Sequence, residues 1–358
     1  MKAFQLAAVA ALLATFPLLS PQEAAAETGG LDIQTFRPAV SPDAVFGVES
    51  SEVHSHLQLY GSLFFDYANQ PLLRRSNEES TVPVIDHRMT SHLRAGIGLF
   101  DVVQVDLTVP VLLANDGSFG GQEIRGSALG RPSLSLKGNL LSAFDGAFGL
   151  GAALNFGIGG NQDALAGETG GWLDFQFLGN TYFENPLGEL VLVGNVGVRN
   201  RQNRTFAGLE LGPSASYGVG ARQEIIAGTF FAGLELLGSV ILTEPARTTS
   251  PLEIILGTSL LAADGLEVKA GLGTGLVSGI GSPRFRGFLG LIYSPSLGAE
   301  APDLSASEDL EDEDWSEDSL AEEQEEYESE EDSAGQVEEE AQADEEEIYA
   351  GDDEQQEE

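Results

Sequence analysis

The sequence predicts an all-β protein, in which a transmembrane antiparallel β-barrel of about 12 strands (residues 54–295) precedes a disordered acidic tail (residues 296–358). Three observations lead to this prediction. Apolar residues recur with a period of two in segments long enough to cross a bilayer at a tilt, which takes ~9–11 residues. The connections between these segments alternate between short and long. Finally, most of the negative charge is concentrated near the C-terminus.

Residues 147–158, AFGLGAALNFGI, show the strand pattern most plainly. One parity is bulky and apolar, while the other holds only glycine, alanine and one asparagine. Because successive side chains of a strand point to opposite faces, this segment has a greasy face and a bare face. A soluble sheet would expose charge on its second face. Bulk outward and small residues inward are instead typical of a membrane barrel strand.

The N-terminus predicts export. Lys2 precedes an apolar stretch at residues 6–19, and residues 24–26 offer an A-x-A cleavage site, so residues 1–26 are predicted to be a signal peptide. That stretch is too short for a spanning helix, which needs roughly 20 residues. Residues 27–53 carry two prolines and weak alternation. We expect them to form an extended lead-in at the periplasmic end.

Twelve strands follow, and each shows the period of two. The third is the sharpest, because valine and leucine alternate with Gln104, Asp106 and Thr108. The last ends in an apolar-x-aromatic pattern that is similar to the closing signal read by the barrel-assembly machinery, which is therefore an expected partner. The predicted strands are 56–67, 85–99, 103–113, 133–141, 147–158, 172–184, 190–201, 211–222, 229–242, 252–261, 266–276 and 284–293.

The connections place the chain in the outer membrane, with lipid as its surroundings. Short turns at one rim and longer polar loops at the other are the outer-membrane pattern, and an even strand count puts the N- and C-terminal segments in the periplasm. Outward aromatics beside the short turns predict half of an interfacial girdle: Phe100, Phe148, Phe183, Phe230 and Tyr293. The competing interpretation is a soluble protein of two β-sheets, which the charged and glycine-rich inner parity disfavours.

Charge is distributed very unevenly. The net charge is -40, and residues 300–358 hold 30 acidic residues without one lysine or arginine. This balance excludes nucleic acid as a partner. Such a tail cannot bury enough apolar surface to order itself. Its carboxylates suit weak, diffuse Ca²⁺ binding or contact with a basic periplasmic protein, and a plain solvated spacer is the simpler interpretation.

Charged side chains on the inner parity are the candidate functional residues. They either form an ion-pair network that braces and closes the barrel, or they line a narrow selective channel, and the sequence leaves both open. The predicted lumen-lining residues are Asp66, Arg88, His92, Arg94, Asp106, Lys137, Asp174, Arg199, Arg222, Glu235, Glu253, Glu267, Lys269, Arg284 and Arg286.

Several short stretches resemble the OmpA family of outer-membrane proteins. They are QTFRP (34–38), FDYA (65–68), SPLE (250–253), GLGTGL (271–276), GSPRFR (281–286) and YSP (293–295). The resemblance implies a barrel, sometimes described as a porin or transporter. It also implies a downstream peptidoglycan-binding domain that uses an arginine. This chain has no basic residue after Pro295, so the resemblance stops at the barrel portion.

No pattern predicts catalysis or a cofactor. His54 and His56 share a parity and could coordinate a metal ion together, although polar residues at the start of a strand are the simpler interpretation. His92 faces inward with Arg88 and Arg94, but no spacing shows the hydrogen-bonded partner that a catalytic base needs. We therefore expect a structural barrel or a narrow porin or transporter-like channel that is not an enzyme. The alternatives are a membrane-anchored tether with a partner-recruiting tail and, less favoured, a barrel hydrolase.

Overall fold

A computed structural model describes residues 32–75, 81–144, 146–159, 165–167, 170–206, 209–243, 245–246 and 249–295. The predicted signal peptide and acidic tail lie outside the described residues, as does the start of the lead-in. Within the described chain there is no helix long and apolar enough to cross a membrane.

Twelve long strands of the described chain form one closed antiparallel barrel. Four short strands lie in the long loops between them: β4 (Gln122–Glu123), β5 (Ala128–Leu129), β10 (Arg204–Phe206) and β11 (Leu209–Leu211). The barrel strands are β1 (Leu59–Arg75), β2 (Thr81–Leu99), β3 (Val103–Phe119), β6 (Ser133–Ala143), β7 (Phe148–Gly157), β8 (Trp172–Asn185), β9 (Gly188–Arg201), β12 (Ser214–Ile226), β13 (Phe230–Ile241), β14 (Leu252–Ala263), β15 (Leu266–Val277) and β16 (Phe285–Tyr293).

Each barrel strand pairs with the neighbouring barrel strand in the chain, and the first pairs with the last. The β1–β16 register runs from Gly61 opposite Tyr293 to Asn69 opposite Phe285. This pairing removes the free edges that an open sheet would expose, and closure is the condition under which strands can cross lipid. The predicted fold class is therefore confirmed.

The first three strands are longer than the sequence predicted. Residues 68–75, 81–84 and 114–119 were expected in loops, but they continue β1, β2 and β3. The prediction ended each strand where apolar alternation ended, whereas backbone pairing continues beyond it through polar residues such as Asn115 and Asp116. The short strands β4, β5, β10 and β11 were not predicted, because two or three residues carry no periodic signal.

The two rims of the barrel differ in the length of their connections. At the short-turn rim, two to four residues join β2–β3, β6–β7, β8–β9, β12–β13 and β14–β15. Phe100 and Asp101 both have positive φ there, the backbone geometry that a tight hairpin requires. At the long-loop rim the connections are longer. Phe100, Phe183 and Tyr293 are exposed beside the short turns, as predicted for an interfacial girdle.

The apolar parity of the strands faces outward and is exposed. In the middle of three adjacent strands, Leu234, Leu256 and Leu272 are 46%, 63% and 60% exposed and lie side by side. Such a continuous apolar wall is unusual for a soluble surface and typical of one covered by lipid.

The hydrophobic core lies inside the barrel, and the lead-in supplies much of it. Phe36, Val40 and Phe46 are buried against inward residues of the strands, including Phe64 and Phe288. The sequence predicted that the lead-in stays at the periplasmic end. The described part of it instead occupies the lumen and contains no strand. Its proline-broken, weakly alternating sequence gave no indication of this position.

Candidate functional site

The structure places nearly all of the predicted lumen-lining residues on the inner face. Those that are buried are Asp66, Arg88, His92, Asp106, Lys137, Asp174, Arg222, Glu235, Glu253, Lys269 and Arg286, while Arg94, Arg199 and Glu267 are partly buried. Arg284 differs. It precedes the first residue of β16, is exposed, and donates to Gln70 Oε1 at 3.2 Å. Strand parity does not apply to Arg284, because it lies outside the strand.

Residues 32–54 fill the lumen, and we call them the plug segment. The segment makes a reversal near its middle, where the Ala39 amide donates to the Phe46 carbonyl at 2.8 Å. Glycines on the barrel wall make room for it. A Cβ at Gly149 would lie 2.3 Å from Ser51 Oγ, and one at Gly233 would lie 2.9 Å from the Phe46 ring. The bare parity of the strands is therefore the wall against which the plug segment packs.

Two charged side chains of the barrel bind the backbone of the plug reversal. The Glu235 carboxylate accepts from the amides of Phe46, Gly47 and Val48 at 2.9–3.3 Å. The Lys269 ammonium donates to the carbonyls of Ala44 and Val45, both at 2.9 Å. Backbone groups buried inside a barrel need hydrogen-bond partners. The anionic Glu235 supplies them for the amides of the reversal, and the cationic Lys269 supplies them for its carbonyls.

A second cluster of polar contacts holds the ends of the reversal. Arg94 donates to Asp106 at 2.5 Å and to Glu49 of the plug segment at 2.8 Å. Burial alone would raise the pKa of Glu49, but the charges of Arg94 and Lys137 outweigh it and lower that pKa to about 2. Lys137 also donates to Ser41 Oγ and to the Ser50 carbonyl. Glu49 is therefore ionised at neutral pH.

A buried ion network joins the wall to the start of the plug segment. Arg286 donates to Asp66 and to Glu253, both at 2.6 Å, and all three side chains are at most 5% exposed. Gln34 of the plug segment donates to Asp66 Oδ2 at 3.1 Å. Each charge in the network has a partner, so the network both braces the barrel wall and orients the plug segment.

The plug segment runs along the barrel from one half to the other. At its start, Thr35 donates to the Gly281 carbonyl in the long connection before β16. At its end, His54 contacts Ser294, whose amide bonds to Gly265 in a short turn. The described chain therefore begins in the long-loop half and ends at the short-turn rim. The sequence had predicted both terminal segments at the short-turn side.

The four histidines lie in separate places. His54 is buried, stacks on Tyr60 at 4.1 Å, and its two ring nitrogens contact the Val40 carbonyl and Ser294 Oγ. His56 is exposed and accepts from the Phe100 amide, so His54 and His56 do not converge. Tyr67 contacts His87 on the outside. Among the described residues, no three His, Asp or Glu side chains come together as a metal site.

His54 carries a neutral ring in this arrangement. One nitrogen faces an acceptor, the Val40 carbonyl at 3.2 Å, and the other faces the Ser294 hydroxyl at 3.3 Å. A neutral imidazole satisfies both contacts by donating to the first and accepting from the second. Burial and the nearby positive charges lower the pKa of His54 to about 4. The contact between His54 and the Val40 carbonyl joins the end of the plug segment to its middle.

Two cavities that both polar and apolar side chains line remain in the lumen beside the plug segment. The first, about 160 Å³, lies against strands β8, β9 and β12–β14. The second, about 120 Å³, lies against β2, β3, β6 and β7. Arg37, Gln34 and Gly47 of the plug segment line both cavities, so the plug segment separates them. The charged inner residues, for which the sequence left bracing and channel lining open, therefore hold the plug segment, and some of them also line the two cavities.

Together, the fold and the lumen define a transmembrane β-barrel of the outer-membrane type whose interior is occupied by its own N-terminal segment. No protein-family model matches the sequence. No curated protein sequence matches it either. Solved structures do resemble it in fold. An outer membrane channel from Pseudomonas putida F1 aligns with a TM-score of 0.53 at 13% identity, over 68% of this chain and 97% of that chain.

Two further solved barrels align less well. The NanC porin gives a TM-score of 0.44 at 6% identity, over 66% of this chain and all of its own. The beta domain of the Bordetella autotransporter BrkA gives 0.42 at 13% identity, over 67% of this chain and all of its own. At 13% identity, the alignment with the Pseudomonas putida F1 channel bears on the barrel fold alone.

Proposed function

We propose that the protein is an outer-membrane channel that the plug segment closes in this conformation. The supporting observation is the way in which the plug segment is held. Its reversal is bound by hydrogen bonds and ion pairs from Glu235, Lys269 and Arg94, next to two cavities of the lumen. Hydrogen bonds and ion pairs are reversible, so the plug segment can leave its seat and return. A shift of the plug segment would join the cavities into a path.

The proposal includes an orientation in the membrane. The apolar belt sits in lipid, the short-turn rim faces the periplasm, and residues after Pro295 continue on that side. The long-loop rim then faces outward, and the start of the plug segment lies in that half. OmpA-family membership of the barrel remains a proposal that rests on the sequence stretches alone, as do the tail's partners and its weak Ca²⁺ binding.

A permanently closed barrel that acts as a structural protein or tether is the second candidate. The observation that favours it is the apolar packing of Phe36 and Phe46 of the plug segment against Phe288 of β16, with ring centroids 5.2 Å apart in both pairs. A catalytic role has less support, since the described contact of His92 Nε2 is an amide nitrogen, Gln34 Nε2 at 3.3 Å, and not a nucleophile.

An engineered disulfide separates the first two candidates, because the chain has no native cysteine. A Cβ at Gly220 would lie 3.3 Å from Val45 Cβ, close to the ~3.5–4.5 Å that a disulfide needs. The double variant Val45→Cys/Gly220→Cys would tie the plug segment to β12. We expect single-channel steps in planar bilayers after reduction and none after oxidation, with Val45→Cys alone insensitive to either treatment.

Each other outcome of the disulfide experiment is informative. Equal conductance in the oxidised and reduced forms would mean that movement of the plug segment does not control the path. No conductance in either form, or in the unaltered chain, would favour the permanently closed barrel.

A further inference from the structure

Three arginines surround one tryptophan in the long-loop half of the lumen. Trp172, the first residue of β8, is 4% exposed. The guanidinium carbons of Arg37, Arg199 and Arg131 lie 4.4, 4.6 and 5.7 Å from its ring centroid. The three come from different parts of the chain: the plug segment, β9 and the loop before β6. We call these four residues the Trp172 cluster.

Cations stacked on an indole face are stabilised individually, but three of them close together repel one another. Arg37 has Asp32 at 3.9 Å and Arg199 has Asp174 at 2.7 Å. Burial and the neighbouring guanidiniums of Arg199 and Arg131 still lower the pKa of Arg37 to about 9. Arg37 therefore remains charged at neutral pH in surroundings that disfavour its charge.

The cavities beside the Trp172 cluster carry a surplus of positive charge. Three lysines or arginines line the first cavity and five line the second, and Arg37 belongs to both. Seven of the chain's 17 lysines and arginines are thus found there. The carboxylates that line the cavities are four: Asp32, Glu49, Asp106 and Glu253. The lining of the two cavities therefore holds more basic than acidic side chains, with Asp174 behind it as the partner of Arg199.

The cluster is also reachable from the cavities. The side chains of Arg37 and Arg199 are 35% and 20% exposed, although both lie inside the barrel. Gln176 lines both cavities with Arg37, and its amide nitrogen, which donates to Asp174, has a second N–H that can donate to a ligand oxygen. Guanidinium forks present parallel N–H donors whose spacing matches the oxygens of a carboxylate or a phosphate.

We propose that the Trp172 cluster binds the oxyanion of a small solute, a carboxylate or a phosphate, at Arg37 and Arg199. The bound anion offsets the repulsion among the three guanidiniums. The cavities have room for a solute of only a few heavy atoms. If the protein is the channel proposed above, which this inference deepens, its solutes are small organic or inorganic anions.

The binding test measures the fluorescence of Trp172 itself. The chain has two tryptophans, and the other is Trp315 in the tail, so Trp315→Phe leaves a single fluorophore. In that background, the full chain in detergent is titrated at constant ionic strength with succinate, with phosphate, and with chloride as the reference. We expect a saturable fluorescence change with succinate or phosphate, and the more tightly bound of the two identifies the preferred oxyanion.

Matched variants assign the binding to the cluster. Arg37→Gln and Arg199→Gln are each expected to weaken binding at least tenfold. Arg125→Gln is the control, because Arg125 is exposed and pairs with Asp116 and Glu123 in a loop. Repeating Arg37→Gln with the oxidised Val45→Cys/Gly220→Cys pair keeps the plug segment seated, so that lost binding is not due to its release.

The outcomes separate this inference from the proposed function. No saturable change with either oxyanion, or equal weakening by Arg125→Gln and Arg199→Gln, would overturn the anion site whatever the conductance shows. Saturable binding that depends on Arg37 and Arg199 would support the site even if the bilayer experiment showed a permanently closed barrel.

Discussion

The Glu235 carboxylate makes the most concentrated contact between the barrel and the plug segment, and its removal has a predictable effect. In Glu235→Ala, the amides of Phe46, Gly47 and Val48 lose their acceptor. Phe46 and Val48 are 2% and 0% exposed, so water cannot readily replace the carboxylate for them. Gly47 is only partly buried, and water can reach its amide.

The size of the effect follows from those two buried amides. An unpaired buried N–H costs about 1–3 kcal/mol, so two of them destabilise the seated plug segment by about 3 kcal/mol. At 1.4 kcal/mol per factor of ten, the released population rises roughly 100-fold. Glu235→Gln retains one carbonyl oxygen as an acceptor, and we expect a smaller rise of about 10-fold.

Labelling of one introduced cysteine measures the released population, because the native chain offers no competing thiol. Val40→Cys is suitable, since Val40 is buried in a cluster with inward residues of the barrel strands and cysteine is a small, mostly apolar replacement. When reclosing is faster than labelling, the maleimide rate is proportional to the released population. The control is Glu224→Ala, because Glu224 also accepts backbone amides, from Glu189 and Gly228, but at a barrel turn.

Equal labelling rates in Glu235→Ala and Glu224→Ala would mean that the Glu235 carboxylate does not hold the plug segment. A rate within threefold of the unaltered chain would mean that apolar packing alone holds the plug segment in place.

Three further predictions concern pH, packing and lipid. The pKa of His54 is lowered to about 4 in the folded chain, so the stability of the seated plug segment is full above pH 6.5 and falls as the pH drops from 6.5 to 4, by at most about 3 kcal/mol. Labelling of Val40→Cys, normalised to the unfolded chain, should rise over that range of pH. An equal rise in the His54→Gln variant would show that His54 is not the group responsible. Gly149→Val should push Ser51 from the wall and raise labelling about 10-fold through overpacking, whereas Gly194→Val, with no atom closer than 3.9 Å to its Cβ, should not. Leu256→Arg on the outer face should destabilise the barrel in lipid vesicles by about 2–4 kcal/mol in urea unfolding, and an unchanged midpoint would argue against lipid at that face.

The barrel could be predicted from the sequence because lipid imposes a simple rule on each strand. Where one face meets hydrocarbon, alternate residues are apolar, as in Val103, Val105 and Leu107, and from β6 onward the strand boundaries agree with the prediction within a few residues. The rule ends where the lipid ends. The extensions of β1, β2 and β3 beyond the apolar belt were therefore missed, although their backbone pairing continues past local shifts of register.

The plug segment could not be predicted in the same way. Its residues have no period, and their partners lie far along the chain, such as Glu235 for Phe46 and Lys269 for Ala44. One signal was present in the sequence. The inner parity of β7 has no side chains at Gly149 and Gly151. Such a strand face either borders water or packs closely against another segment. Period-two analysis identifies such a wall but does not say what covers it.

The lumen charges divide by position along the barrel, and the division reconciles the two roles that the sequence left open. Toward the short-turn rim, Lys137 and Lys269 bind plug carbonyls and hold the segment in place. Toward the long-loop rim, Arg199 and Arg131 stand beside Trp172 and the cavities. Lys269 donates to two backbone carbonyls and is buried, whereas Arg199, which donates to Asp174, is 20% exposed, and its exposed side leaves room for a ligand. The bracing charges and the proposed anion site therefore share one lumen, and both require a seated plug segment, because Lys269 binds its backbone and Arg37 belongs to it.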